Sequence, residues 1–208
     1  MAYSDFTLDQ LELRFGVRNQ VAPLFEAVEA IVPSARLLDT LRLAAELPLR
    51  SEKAKSEGIV FPILVELRER NDKFFTIYSG ENLSGAEAEG LRGECDFMLA
   101  KDVRSFSVNY PIFQLVEAKK HDLEGGVGQC AAQLLGAQLF NERRGVRLPF
   151  VYGCVTNGTE WLFMRLSDKV LLVDNRLYFF QELPLLLGAF QVILSQVRQV
   201  LDEAEASA

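Results

Sequence analysis

The chain has 208 residues, 49% of them apolar and 25% charged, which fits one domain with a well-filled core and excludes disordered and fibrous classes. A net charge of −7 argues against a broad, non-specific grip on nucleic acid, although acids concentrated in one site leave local fields free to differ from the sum. Cys95, Cys130 and Cys154 have no paired spacing and His121 is the single histidine, which argues against disulfides, a zinc site or a histidine-rich metal centre. No apolar run is read as long enough to span a bilayer, and Met1-Ala2-Tyr3-Ser4-Asp5 shows no secretory signal, so the expected location is cytoplasmic.

In chain order, the capping pattern Thr7-x-x-Gln10 and the apolar residues from Phe6 to Phe15 predict a short helix stopped near Gly16. Leu24 to Val32 is open between helix and strand. Ser34 to Leu47 has leucines at helical spacing between Pro33 and Pro48. Residues 1–50 carry no chemical motif and are expected to form a helical extension packed on a core of residues 51–208, the two making one compact unit. Ser51 to Arg70 predicts a capped helix with Ile59, Ile63, Leu64 and Leu67 on one side, kinked or broken at Pro62.

Lys73 to Tyr78 alternates as a first strand, and Gly80, Asn82, Ser84 and Gly85 read as a loop. Leu91 to Ala100 is a second strand, Lys101-Asp102 a turn, and Ser107 to Lys119 a third, so the three are expected to run antiparallel. Gly125, Gly126 and Gly128 read as a hinge-like turn before a helix from Val127 to Arg144, on which Gln129 and Gln133 lie one turn apart. Thr156-Asn157-Gly158-Thr159 between two apolar runs predicts a hairpin within Pro149 to Leu166. Val170 to Val173 and Leu177 to Phe180 are predicted as edge strands, and Leu183 to Ala204 as a final amphipathic helix.

The chemistry concentrates between Gly93 and Gln133. Phe113, Leu115, Glu117 and Lys119 alternate, so an extended strand projects the acid and the lysine from the face that holds its apolar residues. Such a strand needs a cleft at its end, since a buried charge without a partner is costly. Asp96, from the strand before, supplies a second carboxylate. Paired acids at neighbouring strand ends make the hard oxygen site that Mg2+ prefers, and a lysine beside them offsets charge on a phosphate.

Asp96, a spacer of about twenty residues and then Glu117-Ala118-Lys119, together with Gly93-Glu94-Cys95-Asp96-Phe97, resemble the motif of the PD-(D/E)XK, restriction-endonuclease-like nuclease superfamily. Ser51-Glu52 ahead of Pro62-Ile63-Leu64, and Val155-Thr156-Asn157-Gly158 ahead of Trp161, resemble more narrowly the nuclease domain of type I restriction motor subunits and their stand-alone relatives. The resemblance covers about Ser51 to Leu166. It implies an α/β (α+β) fold with a central mixed sheet flanked by helices, and metal-dependent hydrolysis of DNA phosphodiester bonds.

By the same resemblance, Asp96, Glu117 and Lys119 are catalytic, and Asp96, Glu117, the Ala118 carbonyl and Glu52 hold Mg2+ or Mn2+. Gln129 and Gln133 lie near the nucleic-acid backbone, with Gln133 standing where tyrosine is common in the family. Glu57 and Glu66 rival Glu52, and Glu94 rivals Asp96. Lys120 and His121 lie just past the site, within reach of phosphate. DNA is the expected partner, with a homodimer or a larger restriction or defence complex beside it. The alternative is a nuclease-fold module that binds or assembles without cutting.

Overall fold

The computed structural model describes residues 1–102 and 105–206. Its centre is a seven-stranded sheet in the order β1-β7-β6-β5-β4-β3-β2, built from β1 (Arg18–Val21), β2 (Phe75–Ala86), β3 (Leu91–Lys101), β4 (Ile112–Ala118), β5 (Val151–Thr156), β6 (Glu160–Ser167) and β7 (Val170–Phe179). The β1–β7 and β4–β5 pairs are parallel and the rest antiparallel, so the sheet is mixed. Helices cover both faces, and the protein is an α+β molecule of three layers. On one face α5 (Glu124–Glu142) packs with α1 (Leu8–Phe15) and the N-terminal residues Tyr3 and Phe6. On the other lie α2 (Ala35–Ala44), α4 (Phe61–Arg70) and α6 (Leu183–Ala206).

Local sequence explains most element ends. Thr7 accepts from the Gln10 amide while the Gln10 side chain returns the bond to Thr7, and Gly16 closes α1 at φ 71°. Ser34 caps α2. The β5–β6 hairpin turns at Gly158, with Asn157 Oδ1 accepting from the Thr159 and Glu160 amides. Pro62 breaks its helix in an unexpected way. The short α3 (Glu52–Lys55) runs through a π-helical segment at Ser56–Val60 into α4, whose first turn holds the proline. A proline has no N–H to give, so the wider turn ahead of it loses no backbone bond there.

Several expectations are corrected. Leu24 to Val32 forms neither helix nor strand; it is tied down by the Leu24 amide on Asp174 and the Ile31 amide on the Pro184 carbonyl. Gly80 to Gly85 is strand, not loop, and pairs with β3 up to a turn at Glu87–Glu89 and Gly90. β4 begins at Ile112 instead of Ser107. The glycines at 125, 126 and 128 lie inside the first turns of α5. The two stretches predicted as edge strands are one strand, β7, kept off the edge by β1, which had no apolar signal because all four of its residues are exposed.

The C-terminal helix corrects a further expectation, since Phe180–Ala206 is long and apolar enough by length and composition to cross a membrane. In this fold half of that stretch is buried, with Leu186, Leu187, Phe190, Ile193 and Val197 packed into the core.

Candidate functional site

The site forms where β3 and β4 part. Their ladder runs to the pair Phe97 and Val116 and goes no further. Beyond that point β4 stays paired with β5 as far as Ala118 and Thr156, and the Lys119 amide donates to the Thr156 carbonyl. The gap is bridged by a side chain, because the Ala118 amide donates to Asp96 Oδ2 at 2.7 Å. Asp96 is thereby held against the end of β4, next to the residue expected to lend its carbonyl.

Glu117 points from β4 toward α5 and is 3% exposed. Each of its oxygens is engaged. Lys119 Nζ donates to Oε1 at 2.8 Å, Gln129 Nε2 donates to the same oxygen at 2.5 Å, and Gln133 Nε2 donates to Oε2 at 2.7 Å. Lys119 Nζ also donates to Gln129 Oε1 at 2.8 Å. Acid, lysine and two helix amides thus form one closed network. Gly126 makes room for it: a Cβ there would lie 2.6 Å from Val155 and 3.1 Å from the Lys119 side chain.

The electrostatics of the two acids are linked. Burial, and then the neighbouring Asp96, push the Glu117 carboxyl up to about 7, against the pull of Lys119 and Gln133. The Asp96 carboxyl is raised too, first by burial and then by Glu52 and Glu94, while the Ala118 amide and Lys119 oppose the rise. Burial and neighbouring acids thus disfavour the ionised form of each carboxyl, which makes a place that a cation would stabilise.

Asp96 opens onto a cleft of about 540 Å3 whose walls include Glu52, Lys53, Glu57, Phe61, Glu94 and Phe97. The structure therefore brings Glu52, Glu57 and Glu94 to the cleft. Glu66 is elsewhere, its carboxylate accepting from the amide and hydroxyl of Ser34 and from Arg70 Nε. Those donors hold the Glu66 carboxyl below its ordinary range although burial works the other way. It is the bolt that fastens α2 to α4.

Lys120 and His121 are exposed past the end of β4, where Lys55 Nζ and Asn157 Nδ2 bind their respective carbonyls. His121 faces a different cavity, shared with Asp174 and Arg176. Gln133 is fully buried and its Nε2 donates to Glu117, so it supports that carboxylate from beneath. Gln129 is half-buried and does face the network. Phe61 was missed by sequence reasoning, because an aromatic residue just before a helical proline carries no chemical signal of its own.

Mg2+ keeps several waters and takes one or two protein carboxylates, so the oxygens of Asp96 and Glu117, with Glu52 across the cleft, suit it as a donor set. Among the described residues no three histidine, cysteine, aspartate or glutamate side chains converge closely enough to form a ready-made cage.

No known protein-family model matches the chain, and no curated protein matches it. What fold and site define is an α+β protein with a seven-stranded mixed sheet flanked by helices, carrying a lysine-paired acid and a second acid at the mouth of an acidic cleft.

Proposed function

We propose that this chain is a metal-dependent nuclease of the PD-(D/E)XK kind, hydrolysing phosphodiester bonds of DNA. The observation that carries the reading is the meeting of Asp96 and Glu117 where β3 and β4 part, with Lys119 Nζ 2.8 Å from the Glu117 carboxylate. Asp96 and Glu117, with Glu52 and the Ala118 carbonyl, would hold Mg2+ or Mn2+. When bound, such an ion lowers the pKa of its water and neutralises charge on the phosphoryl oxygens.

The remaining work belongs to the chain's own groups. Gln129 and Gln133 fix the Glu117 carboxylate by two amide bonds, so that its orientation does not depend on the ligand. Lys119, with one donor left after its bonds to Glu117 and Gln129, would present a compact positive charge to the attacked phosphate. The Ala118 amide keeps Asp96 at the place where the two strands separate. If a duplex were cut on both strands two such sites would be needed, which a second copy of the chain or a larger defence assembly would supply.

One observation favours the non-cutting alternative: the network around Glu117 is already closed, with both oxygens bound. Incubation of labelled DNA with the purified chain in Mg2+ or Mn2+ separates the two. The nuclease reading expects metal-dependent cleavage that falls by about a hundredfold or more in Asp96→Ala and in Lys119→Ala, the range by which a positioned charge or proton-handling group accelerates a reaction. Nucleic-acid binding by the parent chain without any cleavage in either metal establishes the binding module in its place.

A further inference from the structure

The cleft next to Asp96 has one wall that the chemistry of hydrolysis does not use. Phe61 opens α4, lines both that wall and a second hollow beside Arg36 and Glu66, and is 41% exposed. Its ring lies nearly parallel to that of buried Phe97, with centroids 6.3 Å apart and planes at 21°. Phe97 adjoins Asp96 on β3 and is held in the ladder opposite Val116, so the aromatic pair is anchored to the strand that carries the acid. Single exposed apolar residues are ordinary on protein surfaces, and what sets this one apart is its place, a flat π surface beside the candidate reaction centre.

We infer that Phe61 is a stacking platform for one unstacked base, and that the substrate of this cleft is a single strand, with the stacked nucleotide adjoining the phosphate that meets Asp96 and Lys119. The inference rests on the nuclease reading and narrows its substrate class. Three observations carry it beyond the ring itself. A cleft of about 540 Å3 has the volume of a small-ligand site, with room for one nucleotide beside the ring. Its rim carries Glu52, Glu57 and Glu94 against a single lysine, Lys53, a balance that gives any phosphate little attraction and leaves the ring as the contact on offer. The whole chain, at −7, gives little help from counterion release, so affinity must come from a contact that needs no positive charge. Stacking of a base on an aromatic ring is such a contact, and a base inside a duplex has no free face to give.

The test is binding of fluorescein-labelled single-stranded DNA, single-stranded RNA and duplex DNA of one sequence, followed by anisotropy in Ca2+ so that affinity is read without turnover. The parent is expected to bind a single strand more tightly than the duplex, and Phe61→Ala to lose about tenfold of the single-strand affinity while duplex affinity stays put. Phe61→Trp is expected to keep the affinity and to show quenching of its new indole on binding. Buried Trp161 gives the constant background and the check that the variant is folded. The DNA and RNA arms identify which sugar the single strand carries.

A duplex preference in the parent overturns the inference, as does equal loss for all three ligands in Phe61→Ala or an unquenched tryptophan at saturation. Failure of the nuclease reading looks different, with Phe61-dependent single-strand binding but no cleavage once Mg2+ or Mn2+ replaces Ca2+. Cleavage indifferent to Phe61 is the reverse case, in which the nuclease reading stands and the stacking platform falls.

Discussion

At the scale of single residues, the site is a contest between burial and charge, and Glu117 shows which wins. Its carboxyl ionises near 7 in the fold against 4.5 for the free group, so between those values the folded chain holds a proton that the unfolded chain has lost. Stability then falls as pH rises from about 4.5 to 7 and is level above that, the opposite of the usual salt-bridged carboxylate. The penalty at alkaline pH is on the order of 3 kcal/mol, since every pH step between the free and folded ionisation points costs about 1.4 kcal/mol. Glu117→Gln keeps the shape and removes the titration. In metal-free buffer, urea midpoints are expected to decline for the parent between about pH 5 and 8 and to decline less for the variant. Parallel pH profiles for the two proteins would show that Lys119 neutralises Glu117 fully. Alternation made Glu117 and Lys119 legible as neighbours before any coordinates, but the two amides that complete the network come from a helix whose facing side no local pattern reveals.

At the scale of elements, the sequence was clear where the period was clean and misleading where glycine had a packing role. Gly80 to Gly85 reads as loop chemistry, yet β2 continues through it because α5 crosses there at backbone distance. A Cβ on Gly85 would lie 2.4 Å from the Gly136 Cα, and one on Gly136 would lie 2.1 Å from the Tyr3 hydroxyl, with Tyr3 itself buried. Glycine at these positions is the absence of a side chain where strand and helix touch, and not a signal for a turn. Gly85→Ala is therefore expected to cost about 3 kcal/mol, the upper part of the range for overpacking, measured by chemical denaturation. It should also weaken any activity, because α5 carries Gln129 and Gln133. A variant as stable as the parent would mean that β2 can yield without moving α5. The same kind of long-range demand hid the bulge between Leu99 and Ala100, which places Phe113 against Phe75 and not in line with Leu115. It also hid β1, whose exposed Arg18–Val21 is a strand only because β7 lies beside it.

At the scale of the whole molecule, the charge of −7 and the acidic cleft both attract cations, and the two effects can be told apart. A diffuse surplus of negative charge is relieved by any salt, because ions screen it over about 10 Å at roughly 0.1 M. A site made by Asp96 and Glu117 responds to a divalent ion in particular, and more as pH rises through about 7, where Glu117 gives up its proton. An ion that binds only the folded chain stabilises it by about 2.7 kcal/mol at a hundred times its dissociation constant. For a chain of this size that is roughly 5–10 °C in the unfolding midpoint. At about pH 8, saturating Mg2+ or Mn2+ is thus expected to raise the midpoint of the parent by this amount over NaCl of equal ionic strength, and Asp96→Asn to lose most of the difference. If NaCl matches the divalent ion, the cation is acting on the field of the whole surface, and the acids where β3 and β4 part are a local strain that the fold tolerates through Lys119, the two glutamines and the Ala118 amide.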